Sequence, residues 1–300
     1  MFPIIPANSV TAASGNDEGI FGFGGDGDGS VTAVTNLVSN AGVVATDVVG
    51  VGTARSGLAA CEYGGDKGIF GYGWEYYINL VSNTGVVASD TAGVGTARGA
   101  LAACSYGEDK GLFGFGFVNP PGTHYSITNL VSNAGVVASD TAGIGTGRYN
   151  LTACEYGGDK GIFGFGHRMG SNWLGTNLVS NVGVVATDTA GVDGTREQPA
   201  ACSYGGDKGI FGFGHDGSAR TATTQLVSNA GVVAADTAGV GTARNGAAGT
   251  QYGQDKGIFG YGWTGSRVSM TNLVSNAGVV ATDTTGVGAA RNILAACSFN

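Results

Sequence analysis

Short apolar runs, each bounded by glycine, asparagine or aspartate, recur along the whole 300-residue chain. One stretch reads LAACEYG, GDK, GIFGYG, a variable segment, then NLVSN, TGVVASD and TAGVGTAR. No helical period is sustained across these runs, and β-branched and aromatic residues dominate them, so they predict strands. Four such runs fill one unit: A (LAACEYG), B (KGIFGYG), C (TNLVSN) and D (GVVATDT). The GGDKG between A and B predicts a tight hairpin. The SNAGV between C and D predicts a second turn, with Asn and Gly available for positive φ.

The unit is written six times. Measured from Asp17, Asp66, Asp109, Asp159, Asp207 and Asp255, the spacings are 49, 43, 50, 48 and 48 residues. Four antiparallel strands in a unit of this length predict a propeller blade, whereas a parallel β-helix would use shorter coils. The first unit opens on a run B (NDEGIFGFG), and the chain stops on a run A (LAACSFN, 294–300). The expected fold is therefore all-β. It is a single six-bladed β-propeller over 15–300, built of four-stranded antiparallel blades and closed by the C-terminal strand completing the first blade. Closure would pair both edges that an open array leaves bare. Residues 1–14 are expected to form a leader. Val10–Ser14 sits in the register of a run A but lacks its Cys and aromatic residue, so the C-terminal strand is the favoured partner.

A glycine-rich stretch beside a lysine also suggests a phosphate loop. Such a loop occurs once, between strand and helix, and ends in Gly-Lys-Ser/Thr. Six copies, one of them with Glu18 in place of the lysine, read instead as hairpins.

An Arg precedes every run A: Arg55, Arg98, Arg148, Arg196, Arg244 and Arg291. Small residues follow it, then an apolar strand ending in glycines, a variable loop and two further strands. This order resembles the kelch repeat across residues 16–300, with IFGFG and IFGYG similar to the kelch strand that ends in a double glycine. The resemblance implies a six-bladed kelch-type propeller. The low divergence between copies and the Gly/Ala/Thr/Val-rich composition also look like kelch-like proteins of tailed phages.

Composition narrows function mainly by exclusion. Glycine accounts for 58 residues, and the recurring apolar runs argue against disorder. The net charge of −8 disfavours nucleic acid and anionic membrane surfaces as partners. No apolar run is long enough for a membrane span, and the N-terminus, interrupted by Pro3 and Pro6, makes a poor signal peptide. Cys61, Cys104, Cys154, Cys202 and Cys297 occupy one register of different units, so they read as small buried thiols rather than disulfides or zinc ligands. The repeated Arg and the run-D Asp (Asp47, Asp90, Asp140, Asp188, Asp236, Asp283) read as bridges tying neighbouring blades. The Asp–Lys pairs of the A–B turns read as solvated hairpin tips.

Variation concentrates in the B–C loops, which antiparallel order puts on the same face as the D-to-A links. Trp74, Tyr76, Tyr77, His124, Tyr125, His167, Arg168, Trp173, His215, Arg220, Trp263 and Arg267 all lie there. These residue types dominate binding hot spots, and loops on a rigid scaffold carry recognition, so they are the candidate binding residues. The competing reading is that they cap the blades. The three His lie in different blades with no recurring acidic partner, which argues against a metal or a general base. GDGDGS (25–30) matches a calcium loop only in part, without the distal Glu. No cofactor or catalytic residue is expected.

The expected function is a non-enzymatic structural or interaction module, a virion component such as a tail fibre, adhesin or decoration protein, and hence virion-borne or extracellular. It would recognise a protein partner or host surface and could act in multiple copies. The alternative is a lectin-like propeller whose loop Trp and Tyr stack on sugars. An enzyme on a kelch scaffold would need a Tyr/His copper set or a convergent acid–base pair, and no repeat position offers one.

Overall fold

The computed structural model describes residues 16–27, 29–120 and 122–300. The expected leader and the Val10–Ser14 rival lie outside these residues, as does Asp28 of the GDGDGS stretch. The described residues contain strands and turns but no helix, and hence no helix able to cross a membrane.

Runs A, B and C form antiparallel strands in the order A–B–C in every unit. In the second unit these are Leu58–Tyr63, Lys67–Tyr72 and Tyr77–Val81. The third and fourth units follow with Ala102–Tyr106, Lys110–Val118 and Thr123–Val131, then Thr152–Tyr156, Lys160–Gly164 and Gly175–Val179. The fifth and sixth use Ala200–Tyr204, Lys208–Gly212 and Thr224–Val227, then Ala248–Tyr252, Lys256–Gly260 and Thr271–Val274. In the first unit Glu18–Gly22 and Thr35–Val38 pair as runs B and C, and their run A is the C-terminal Ala295–Phe299. Its register sets Glu18 opposite Phe299 and Ile20 opposite Cys297.

Run D departs from expectation. It forms a short strand only at Thr91–Ala92 and Thr189–Ala190, and elsewhere makes isolated bridges such as Val38 to Val44. Asn79 of run C donates Nδ2 to the Ala88 carbonyl and to Asp90 of run D, and Asn36, Asn129, Asn177 and Asn272 do the same in their units.

Run B is the buried centre of each sheet, with Ile20, Phe21, Ile69, Phe70, Ile258 and Phe259 fully enclosed. Its two glycines make room for the neighbouring units. A Cβ on Gly68 would lie 2.5 Å from Cys297 Sγ, and one on Gly71 would lie 2.6 Å from the Phe113 ring. All five cysteines are free and buried, so the thiols act as packing groups. Innermost strands neighbour one another in chain order, and Ala295–Phe299 also touches Leu58–Tyr63.

Three series of main-chain hydrogen bonds join successive units, and each returns from the last unit to the first. In one, the residue two after each Arg donates its amide to its counterpart's carbonyl. The donors run Ala100 to Gly57, Asn150 to Ala100, Gln198 to Asn150, Gly246 to Gln198, Ile293 to Gly246 and Gly57 to Ile293, at 2.8–3.0 Å. In the second, Gly64, Gly107, Gly157, Gly205, Gly253 and Asn300 donate to Asp109, Asp159, Asp207, Asp255, Asp17 and Asp66 at 2.7–3.0 Å. In the third, the last glycine of each Gly-aromatic-Gly donates to the carbonyl of the next unit's Arg at 2.8–3.3 Å.

The arginines complete the joint. Arg98 is fully buried; its Nε donates to the Phe115 carbonyl (2.6 Å), its Nη2 to Asn129 (2.8 Å), and Asp140 lies 3.9 Å away. Those partners belong to its own unit. Its guanidinium also stacks 4.5 Å from the Tyr72 ring of the preceding unit. The bridge between units is therefore a cation–π contact, while the expected Asp–Arg pairing stays within one unit. The other five arginines stack in the same way, at 3.9–5.2 Å. One unit solves the problem differently. There Gln225 replaces the Asn, and Arg196 pairs directly with Asp236. Burial pulls these guanidiniums down, Arg55 and Arg148 to about 10, which leaves them charged at neutral pH.

Two stability measurements probe these joints. Gly68→Ala is expected to cost about 1–3 kcal/mol by overpacking. Cys297→Ala should recover part of that loss, giving a non-additive double-mutant cycle in urea denaturation although the two positions lie far apart in the sequence. Arg98→Lys keeps the charge but loses the planar fork, and should lower stability by about 2–4 kcal/mol.

Candidate functional site

The loop residues lie where the B–C loops meet the D-to-A links. Residues following the Gly-aromatic-Gly turn bridge the link: Phe117 to Gly99, His167 to Tyr149, His215 to Glu197 and Trp263 to Asn245. Each loop thus leans on the link that leads into its own unit.

One sector is a continuous run of aromatic contacts across three loops. Trp74 meets Phe117 edge-on at 6.1 Å; Phe117 stacks on Tyr149 at 5.0 Å; His124 stacks on Tyr149 at 5.2 Å and meets Phe117 at 5.1 Å. Tyr149 then meets His167 edge-on at 5.4 Å. His167 Nδ1 lies 2.9 Å from Asn172 Oδ1 and 3.5 Å from Glu197, whose carboxylate also accepts from Asn150 at 3.1 Å. Desolvation, then the charges of His167 and Arg168, lower the pKa of His124, which favours a neutral, stacked ring. Tyr149, on a link, was absent from the candidate residues; the signal that could have found it was an aromatic residue directly after a repeat Arg.

The remaining candidates are dispersed. Trp74 and Tyr76 stand out, 45% and 46% exposed, with Tyr76 leaning on Tyr77 at 6.0 Å. Tyr125 lies opposite Gly116 in its sheet, and Arg168 opposite Ser171 in a small hairpin. Trp173 packs over Gly175 with its Nε1 buried and unpaired. The His215 carbonyl accepts from Asn172. Arg220 donates to Asn245, and Arg267 donates to Asn292 and the Gly25 carbonyl while stacking near Trp263 at 5.4 Å. Much of the chemistry read as recognition is thus engaged in bracing one unit against the next.

A second location escaped the sequence reading. Along run A, side chains alternate between the neighbouring units and a central lumen. Leu58, Leu101, Leu151, Pro199, Ala247 and Leu294 line one end of the lumen, and a layer of alanines with Gly249 lines its middle. At the A–B turn end stand Glu62, Ser105, Glu155, Ser203, Gln251 and Ser298. The residue after each Cys (or after Thr250) was the available signal: E, S, E, S, Q, S in order. Burial raises the pKa of both Glu62 and Glu155; for Glu155 the charges of Glu62, Asp159 and Glu108 add to it, and for Glu62 the hydrogen bonds of Ser298 and Asn16 oppose it. Among the described residues no group of three or more His, Cys, Asp or Glu converges.

No protein-family model matches the chain, and no curated protein matches it.

The raised pKa of Glu155 has a sign that can be checked. A carboxyl whose folded pKa lies above its unfolded value contributes stability while protonated. That contribution is complete below the ordinary carboxyl value of 4.5 and fades as pH rises through the raised one. Glu62, Glu108, Asp159 and the Asp207–Lys208 pair face the same region. Glu155→Gln should therefore be more stable than the parent at pH 9, by about 1–3 kcal/mol, with the difference shrinking toward pH 5 in urea titrations with EDTA present.

Proposed function

We propose that the chain is a six-bladed, kelch-like β-propeller that serves as a non-enzymatic interaction module, engaging a protein partner through its loop face as part of a tailed-phage particle. The propeller reading is supported by six A–B–C sheets, by the pairing of Ala295–Phe299 with Glu18–Gly22, and by three hydrogen-bond series that return to the first unit. The particle assignment rests on the resemblance to glycine-rich kelch-like phage proteins.

The observation that carries the binding role is the exposure of Trp74 and Tyr76 at one end of the aromatic run. Large aromatic side chains held on a braced surface are the usual anchors of protein interfaces. Glu75, exposed between them, gives the lectin reading its specific support, because a carboxylate beside an aromatic face suits sugar hydroxyls.

The parent protein and a Trp74→Ala/Tyr76→Ala variant, compared on a glycan array and on purified particles, separate these readings. Under the protein-partner reading the array shows no Trp74-dependent signal. Cross-links within the particle then join loop residues 74–78 to another particle protein, and the variant loses them. A saccharide signal abolished in the variant would establish the lectin reading instead, and absence from particles would remove the virion assignment.

A further inference from the structure

We propose that two copies of the chain stack face to face through the end that carries the A–B and C–D turns, a ring of exposed valines on one copy covering that of the other. The inference rests on the propeller reading, since the turns form a ring only if the units do.

Both sets of turns stand at one end of the sheets. Asn83, Asn133, Asn229 and Asn276 of the C–D turns donate to Asp66, Asp109, Asp207 and Asp255 of their own units' A–B turns at 3.0–3.3 Å. Each C–D turn ends in two valines that differ in burial. The second packs inward, and Val44, Val137, Val185 and Val280 are buried. The first (Val43, Val86, Val136, Val184, Val232 or Val279) stays 58–65% exposed in every unit. The turn takes only main-chain groups from it. Its amide donates to the hydroxyl of the serine four residues earlier at 3.1–3.2 Å, and its carbonyl accepts from that serine's amide. A polar side chain would serve the turn as well. Single exposed apolar residues need no explanation, but six at one end of a molecule form the kind of patch that marks an interface.

Charge and symmetry choose the occupant. All five lysines of the chain sit at A–B tips, each paired with the aspartate that precedes it, and both groups stay partly exposed. This end therefore presents both signs at near-regular spacing, and rotation of one copy on the other can set its lysines against the other's aspartates. The tip of the first unit, Asp17–Glu18, has no lysine and would face a lysine-bearing tip. Exposed ion pairs add little affinity, so the valines hold the copies together and the charges fix their rotation. A second copy also carries its valines at the same spacing. A head-to-tail stack would set them on the uneven B–C loops instead. Contact about a twofold axis uses up the surface on both sides and stops at two copies. It leaves both loop faces outward, so one pair engages two partner sites at once.

Sedimentation equilibrium of the full-length protein tests this, together with carbodiimide cross-linking of an equal mixture of unlabelled and isotope-labelled chains. The expected result is a reversible dimer with no larger species, and mixed-isotope cross-links from tip lysines such as Lys110 to tip aspartates of the other copy. Val86→Asp/Val232→Asp, at exposed positions of the second and fifth units, should weaken dimerisation at least tenfold without lowering the melting temperature. Should that variant fail to fold, Lys110→Glu/Lys208→Glu must weaken dimerisation at least threefold at low salt. Trp74→Ala/Tyr76→Ala, at the opposite end, should leave the dimer unchanged. A monomeric parent overturns the proposal, as does a dimer that survives the valine variant, a head-to-tail series of larger species, or mixed-isotope links made only by the Met1 amine. Cross-links within one chain from Lys256 to Asp17 or Glu18, which the Gly253–Asp17 hydrogen bond brings near, report on the ring itself. A monomer that retains them sinks the stacking alone, whereas their absence sinks the propeller reading with it.

Discussion

Everything in this molecule depends on the last unit making with the first the contacts that every other unit makes with its successor. Ala295–Phe299 supplies the missing strand of the first sheet, but the pairing alone would leave the joint dependent on five residues. The joint is completed by repetition. Gly19 receives Thr250 as Gly111 receives Cys61, Arg291 stacks on Tyr261 as Arg98 does on Tyr72, and Ile293 takes its place in a series of amide-to-carbonyl bonds. That last contact has a cost. All six residues of the series sit at φ between +50° and +66°, a region a β-branched side chain such as Ile293 strongly resists. The surrounding joint holds it there.

The same demand explains why the repeat diverges so little. Run B must be glycine where a neighbour's thiol or phenyl ring enters, and aromatic where its own ring enters the preceding unit. A change on one side of a joint requires a matching change on the other. The Arg196 unit illustrates this. Asp193 in its link where the other units have Gly, Gln225 in place of Asn and a direct Arg196–Asp236 pair occur together. Freedom to vary is left to the B–C loops and to the lumen-facing position of run A. Even in the loops, His124, His167, Arg220 and Arg267 are drawn into contacts with the adjoining links, leaving Trp74 and Tyr76 as the exposed aromatic surface among the described residues.

The sequence by itself determined the repeat, the three reliable strands of each unit and the turns between them, because these follow from period-two burial and local turn chemistry. It also determined that an orphan run B and an orphan run A stand at opposite ends of the chain, and that the cysteines pack rather than pair. Run D reads as a strand in sequence, but its pairing with run C is confined to two-residue strands and isolated bridges. Only the tertiary structure decided which ring touches which, that the arginine bridge is a stack on the preceding unit, and that six residues forty-odd positions apart meet at one level of a lumen. Those facts depend on how separate units are juxtaposed in space, and no local pattern of residues encodes that distance. Glu62 and Glu155, unremarkable in sequence, acquire their character only there.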